Sequence, residues 1–225
     1  MIIRRLIIWT LCAAFVPALA VAETTLIISR NNDVATLYFA GEAEEMVRGF
    51  DLSFALPAAA TYLNGQDASN AAFDTFARNT QVEVNGTLIP ATTTGALLHI
   101  ADEPLPFATP FEASIATTVC LTPDLPLPNP DALRLYGGIS LSVPLTEEAL
   151  IVDLPVAREM SLRVRMFTRG TLIGEYRDAL APGSPLLIQN GVGGSPWAWL
   201  IGAIGAVAVA LLCAFALSRP KAPRS

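Results

Sequence analysis

The chain has 225 residues, of which 52% are hydrophobic, and a formal net charge of −6. All 20 acidic residues lie between Glu23 and Asp178, together with nine arginines and no lysine, so that stretch carries 9 − 20 = −11. A surface this acidic repels phosphate backbones, which argues against DNA or RNA as a partner.

The first 22 residues have the layout of a secretory signal peptide. Arg4 and Arg5 precede an uncharged apolar run (6–16), and a small-residue pattern follows at 20–22. The run is too short to span a bilayer. We expect cleavage after Ala22, or alternatively after Ala20. We also expect the mature chain to be exported to a bacterial periplasm.

Residues 23–190 read as a β-rich periplasmic domain. Short runs rich in β-branched and aromatic residues alternate with turn signals, which predicts a mainly β fold, specifically an immunoglobulin-like β-sandwich. The predicted strands are 24–30, 34–40, 80–84, 87–91, 96–100, 112–121, 133–137, 139–143, 149–154, 161–167, 171–177 and 185–189.

Two segments, 42–49 and 67–79, have helical patterns instead. Asp67 or Ser69 is a suitable N-cap for the second helix, which we expect to end at Asn79. A proline-rich connector at 122–131 offers a sub-boundary. We favour one composite domain over two lobes, because about 60 residues after the connector make a thin independent core.

Few residues in this domain carry obvious chemistry. Cys120 is its only cysteine, so it forms no internal disulfide, and His99 is the only histidine of the chain. A copper site would need His99, Cys120 and a methionine as ligands. A periplasmic copper carrier is therefore one alternative function. The acidic clusters at 42–45, with three glutamates, and at 147–148, with two, leave a hydrolase as another. Neither spacing is diagnostic, so we predict no catalytic residue, metal or cofactor.

The segment 161–177 predicts a hairpin with a three-residue loop that ends at Gly170. This loop length sets a strand register in which Arg163 lies opposite Glu175. Five of the nine arginines fall in or beside it. Two interpretations follow: local pairing with neighbouring carboxylates, or docking of an acidic protein partner by Arg163 and Arg165.

The C-terminus predicts a membrane anchor. A glycine-rich hinge (191–195) precedes an uncharged apolar stretch (196–217) long enough to cross the bilayer once, and the basic tail (218–225) favours a cytoplasmic end. A stripe of small residues on this helix would allow close helix packing and oligomerisation. The stripe includes Gly202, Ala206, Ala210 and Ala214.

Gly193 and Gly194, the apolar stretch and the basic end also resemble the GlyGly-CTERM sorting signals of bacterial exported proteins. That resemblance implies a temporary anchor that is cut near the glycines. The span is long and the basic residues are dispersed, so we favour a permanent anchor. The sequence therefore predicts a single-pass bacterial inner-membrane protein whose periplasmic domain binds or helps to assemble another membrane or periplasmic protein.

Overall fold

The computed structural model describes residues 23–189, except 54–55, 58, 85, 120–122, 128–131 and 144–148. The predicted signal peptide with its cleavage site at Ala22, the hinge, the membrane span with its small-residue stripe, and the basic tail lie outside the described residues. No helix within the described ranges is long and apolar enough to cross a membrane.

Ten strands and three helices make up the described part, so the predicted mainly β class is confirmed. The strands are β1 (Glu23–Asn31), β2 (Val34–Glu42), β3 (Gln81–Val84), β4 (Thr87–Ile89), β5 (Ala91–Ile100), β6 (Leu133–Ser142), β7 (Ala149–Asp153), β8 (Met160–Thr168), β9 (Thr171–Leu180) and β10 (Leu186–Gln189). The helices are α1 (Ala43–Gly49), α2 (Tyr62–Asn79) and α3 (Pro110–Thr118).

The strands form two sheets. The larger has six strands in the order β5-β6-β2-β1-β8-β9, and the smaller has four in the order β10-β7-β3-β4. The pair β1–β8 is parallel and the other pairs are antiparallel. Immunoglobulin sandwiches are built from antiparallel sheets, so this parallel pair departs from that pattern.

One hydrophobic core joins the two sheets to the first two helices. Leu26 of β1, Leu135 of β6 and Val152 of β7 belong to it, so it includes residues from both sides of the proline-rich connector. Aromatic rings fill its centre: Phe39 of β2 makes edge-on contact with Phe76 of α2 at 5.5 Å between ring centroids. We call the face of the large sheet that points into this core its inner face.

The helix α3 packs on part of the opposite, outer face of the large sheet. Ile27 of β1 points outward, between the inward-pointing Leu26 and Ile28, and is fully buried against Ala113 of α3. Ala116, one turn later, packs on Tyr136 of β6. Small side chains on this side of the helix allow it to lie close to the sheet.

The predicted strand at 112–121 is wrong, because α3 occupies most of that segment. Thr109 caps the helix by accepting from the Glu112 backbone N–H, and the Glu112 side chain accepts in return from the Thr109 N–H. Pro110 fills the first helical position, where no backbone donor is needed. This reciprocal capping box outweighs the β propensity of the isoleucine, threonine and valine that follow.

The predicted helices α1 and α2 are present, but α2 begins five residues earlier than expected. Thr61 and Asn64 form its capping box, so neither Asp67 nor Ser69 is the N-cap. The hydroxyl of Ser69 instead donates to the backbone carbonyl of Gly65 at 2.8 Å, inside the helix. The helix ends at Asn79, as predicted.

The hairpin β8–β9 is present, but its predicted register is wrong. The turn has two residues, Arg169 and Gly170, both with positive φ, rather than three. A bulge beside Phe167 then shifts the pairing, so that Arg163 lies opposite Arg177. Glu175 lies opposite Arg165. The two-residue turn matches the twist of the paired strands, which the looser three-residue loop does less well.

Candidate functional site

Charged side chains line the outer face where β1, β8 and β9 run side by side. Glu175 accepts a hydrogen bond from Arg163 of β8, whose Nη2 lies 2.5 Å from the carboxylate, and forms an ion pair with Arg165, whose Nε lies 3.2 Å away. Arg177 pairs with Glu23, at 2.7 Å between Nε and Oε1. We call these five residues the arginine ladder.

The electrostatics of the ladder follow from these contacts. The hydrogen bond and charge of Glu175 raise the pKa of Arg163 above its ordinary value. In turn, the hydrogen bond from Arg163 holds the pKa of the Glu175 carboxyl below its usual range. Both groups are open to water, so exposed pairing of this kind contributes little to stability. The local pairing expected from the sequence is therefore present around Glu175.

Arg165 has a second role within the fold. Its side chain, 22% exposed, donates to the backbone carbonyl of Ala108, just before α3. Its guanidinium also lies 5.7 Å from the ring centroid of Phe167. These contacts join β8 to the start of α3. Arg163 is 48% exposed and makes no such contact with the helix segment.

The outward side of α3 carries an apolar ridge that the sequence analysis missed. Phe111 is 75% exposed, and Ile115 and Val119 are exposed beside it. Their spacing of four residues puts them on one side of the helix, opposite Ala113 and Ala116. This spacing was a detectable signal, but the segment had been assigned to a strand.

The ridge and the ladder are adjacent parts of one surface. The contact between Arg165 and Ala108 places the ladder next to the first turn of α3. From there the helix crosses the sheet, with Ala113 over Ile27 of β1 and Ala116 near Tyr136 of β6. Large exposed apolar side chains bordered by arginines are typical of protein-binding surfaces.

A polar cleft of about 320 Å³ lies where α2, β5 and the end of α3 meet. A bulge in β5 at Thr94 opens the cleft. The next residue, Gly95, has a φ of +152°, and a Cβ added there would lie 2.6 Å from the Thr117 carbonyl oxygen. Asn70 accepts from the Ala96 backbone N–H at 2.7 Å, which covers one donor of this edge strand. Asp74 is the only ionisable residue among the described residues that line it. With no second acid or base in that lining, the cleft shows no pair of groups for acid–base chemistry.

The residues considered for metal or hydrolytic chemistry lie in different settings. The ring of His99 on β5 is 5.8 Å from the ring of Tyr62. The candidate methionines, Met46, Met160 and Met166, are buried in the core. Cys120 lies outside the described residues, as does the acidic pair at 147–148. Within the described ranges, His, Cys, Asp and Glu form no group of three with metal-site geometry.

Two of the three glutamates in the acidic cluster at 42–45 are engaged in ion pairs. Glu44 pairs with Arg48 one turn along α1, and Glu45 pairs with Arg158 at 2.5 Å. Of the two, only the pair of Glu45 with Arg158 links α1 to the segment before β8.

No protein-family model matches the chain, and no curated protein matches it in sequence.

Proposed function

We propose that the protein is an accessory module, anchored in the bacterial inner membrane, that binds another membrane or periplasmic protein through the outer face of its large sheet. The observation that carries this proposal is the apolar ridge of α3 lying beside the arginine ladder. The ridge supplies apolar area to bury, and Arg163 and Arg165, which we propose as docking residues, border it with positive charge in a domain of net charge −11.

The location follows from the two ends of the sequence. A signal peptide at 1–22 and an apolar span at 196–217 would place the β-rich domain in the periplasm and the basic tail in the cytoplasm. In this proposal the domain is immunoglobulin-like only in the broad sense of two sheets that share one core. The small-residue stripe with Gly202 and Ala206 would support packing of the span against another helix.

The chemistry of the surface defines the partner. Phe111 projects far enough to enter an apolar pocket, and buried aromatic anchors dominate many protein interfaces. Arg163 lies at the border with half of its side chain exposed, and there it would meet carboxylates. We therefore expect a partner with an apolar groove and an acidic rim.

The test uses site-specific photocrosslinking of the full chain in its own cells. A photoreactive residue at Ile115 should give discrete protein adducts, whereas one at Leu88, which is 66% exposed on β4 of the smaller sheet, should not. The change Phe111→Ser should abolish the adducts from position 115. Adducts of equal yield at both positions, or none at 115, would reject the proposal.

A further inference from the structure

We propose that two copies of the chain associate through β9, which pairs with β9 of the second copy in antiparallel fashion about a two-fold axis at Tyr176. This contact is separate from the ridge of α3, and it would join two six-stranded sheets into one. It does not depend on the partner binding proposed above.

The strand β9 is a long free edge. It has ten residues and ends the large sheet, and among the described strands it pairs only with β8. From Gly174 to Leu180 its pairing with β8 is regular, and the bulge lies before that stretch. Exposed edges are usually protected by proline, lysine or a bulge. The stretch 174–180 contains no proline, lysine or bulge, but the Ala179 N–H already donates to Asp178 Oδ1, so the part of the edge left for another strand is Gly174–Asp178.

Charge complementarity identifies the second copy as the occupant. With the axis at Tyr176, Glu175 lies opposite Arg177 of the second copy, and Arg177 lies opposite the second copy's Glu175. Opposite charges placed directly across a strand pair are stabilising. The sequence Glu-Tyr-Arg is therefore complementary to itself when it runs antiparallel.

Neighbouring registers lack this complementarity. Shifting the axis to Glu175 would place two glutamates opposite each other, and shifting it to Arg177 would do the same with two arginines. A half-step shift would place inward-facing residues opposite outward-facing ones, because side chains alternate along a strand. The register centred on Tyr176 is the one near the middle of the regular stretch that joins opposite charges.

The contacts within one copy leave room for this pairing. Arg177 lies directly opposite Arg163 of β8, a like-charge pair. Its side chain is 76% exposed and pairs with Glu23 from the far side of β8. A glutamate from a second copy would lie on the open side of Arg177 and offset this repulsion.

Charge reversal in the full chain, purified in detergent, tests the interface. Arg177→Glu would place glutamates opposite each other, and we expect self-association measured by sedimentation to weaken on the order of tenfold or more. The double change Glu175→Arg with Arg177→Glu restores opposite charges across the axis and should restore association. Unchanged association of Arg177→Glu, or no rescue by the double change, would reject the interface.

A disulfide test separates β9 from association through the membrane span. In a background with Cys120→Ser and Cys213→Ser, copies with Glu175→Cys should crosslink to copies with Arg177→Cys in the periplasm. Neither variant should crosslink well to itself, because residues of the same number lie diagonally across the axis, beyond the usual disulfide span. Leu88→Cys is the exposed control. A dimeric chain without the crosslink between positions 175 and 177 would overturn the proposal.

Discussion

Arg165 donates a hydrogen bond to the backbone carbonyl of Ala108 and thereby ties β8 to the segment that leads into α3. The same guanidinium pairs with Glu175. Arg163, two residues earlier on the same face, pairs with Glu175 alone among the described residues. Arg163 and Arg165, both predicted from the sequence as docking residues, therefore make different contacts within the fold. Only Arg165 connects β8 to the segment before α3.

This difference predicts different effects of truncation. Arg165→Ala removes the bond to Ala108 and should lower the free energy of unfolding by about 1.5–3 kcal/mol, a typical loss for a hydrogen bond to a charged group. Arg163→Ala should change it little, because its side chain is half exposed. Urea unfolding of the full chain in detergent, followed by circular dichroism, measures both. Equal losses would contradict the role assigned to Arg165.

Glu175 predicts a loss of stability in acid. Its pKa is lowered in the folded state by the hydrogen bond from Arg163, so its stabilising effect is fully present above the unfolded value of about 4.3. That effect is lost as the pH falls through the lower folded value. The melting temperatures of the wild type and Glu175→Gln should therefore differ at pH 7 and converge toward pH 3. A constant difference across this range would show that the carboxylate charge is not responsible.

Tyr176 predicts a loss of stability in strong alkali. Burial raises its pKa to about 12, with a smaller contribution from the negative charge of Asp178. A raised folded pKa gives stability that is complete below the unfolded value of about 10 and is lost as the pH rises toward 12. Burial also raises the pKa of Tyr136, so the absorbance of ionised tyrosine near 295 nm should show more than one group titrating late. Tyr176→Phe should remove the part of that late change that belongs to Tyr176. Early titration of all four tyrosines would contradict this.

Strand positions were largely predictable from the sequence, because apolar alternation reports burial directly. The pattern around Leu26 and Ile28 identified β1, and the predicted strands 80–84 and 87–91 overlap the paired strands β3 and β4. The helix α3 was not predictable in this way. Its residues are apolar on two sides, one facing the sheet and one forming the ridge, so the four-residue spacing of the ridge was obscured by the β-branched residues that favoured a strand.

The ladder was predictable in composition but not in pairing. Counting arginines located the cluster on β8 and β9, and Glu175 was correctly named as a local partner. The two-residue turn and the bulge beside Phe167 set the register, and neither has a clear sequence signal. The parallel pairing of β1 with β8 joins residues more than 130 positions apart, which local patterns do not encode.

Gly137 on β6 is required where α2 lies against the inner face of the large sheet. A Cβ at this position would lie 2.0 Å from Cζ of Phe73, whose ring is fully buried in the core. Close packing leaves that ring no space to move away, so Gly137→Ala should lower the free energy of unfolding by about 1–3 kcal/mol. Gly174→Ala on β9 is the matched control, since a Cβ there meets no described atom within 4 Å. Urea unfolding should separate the two variants clearly. Equal stability would show that Phe73 is not held against β6 and that the contact between α2 and the sheet is looser than described.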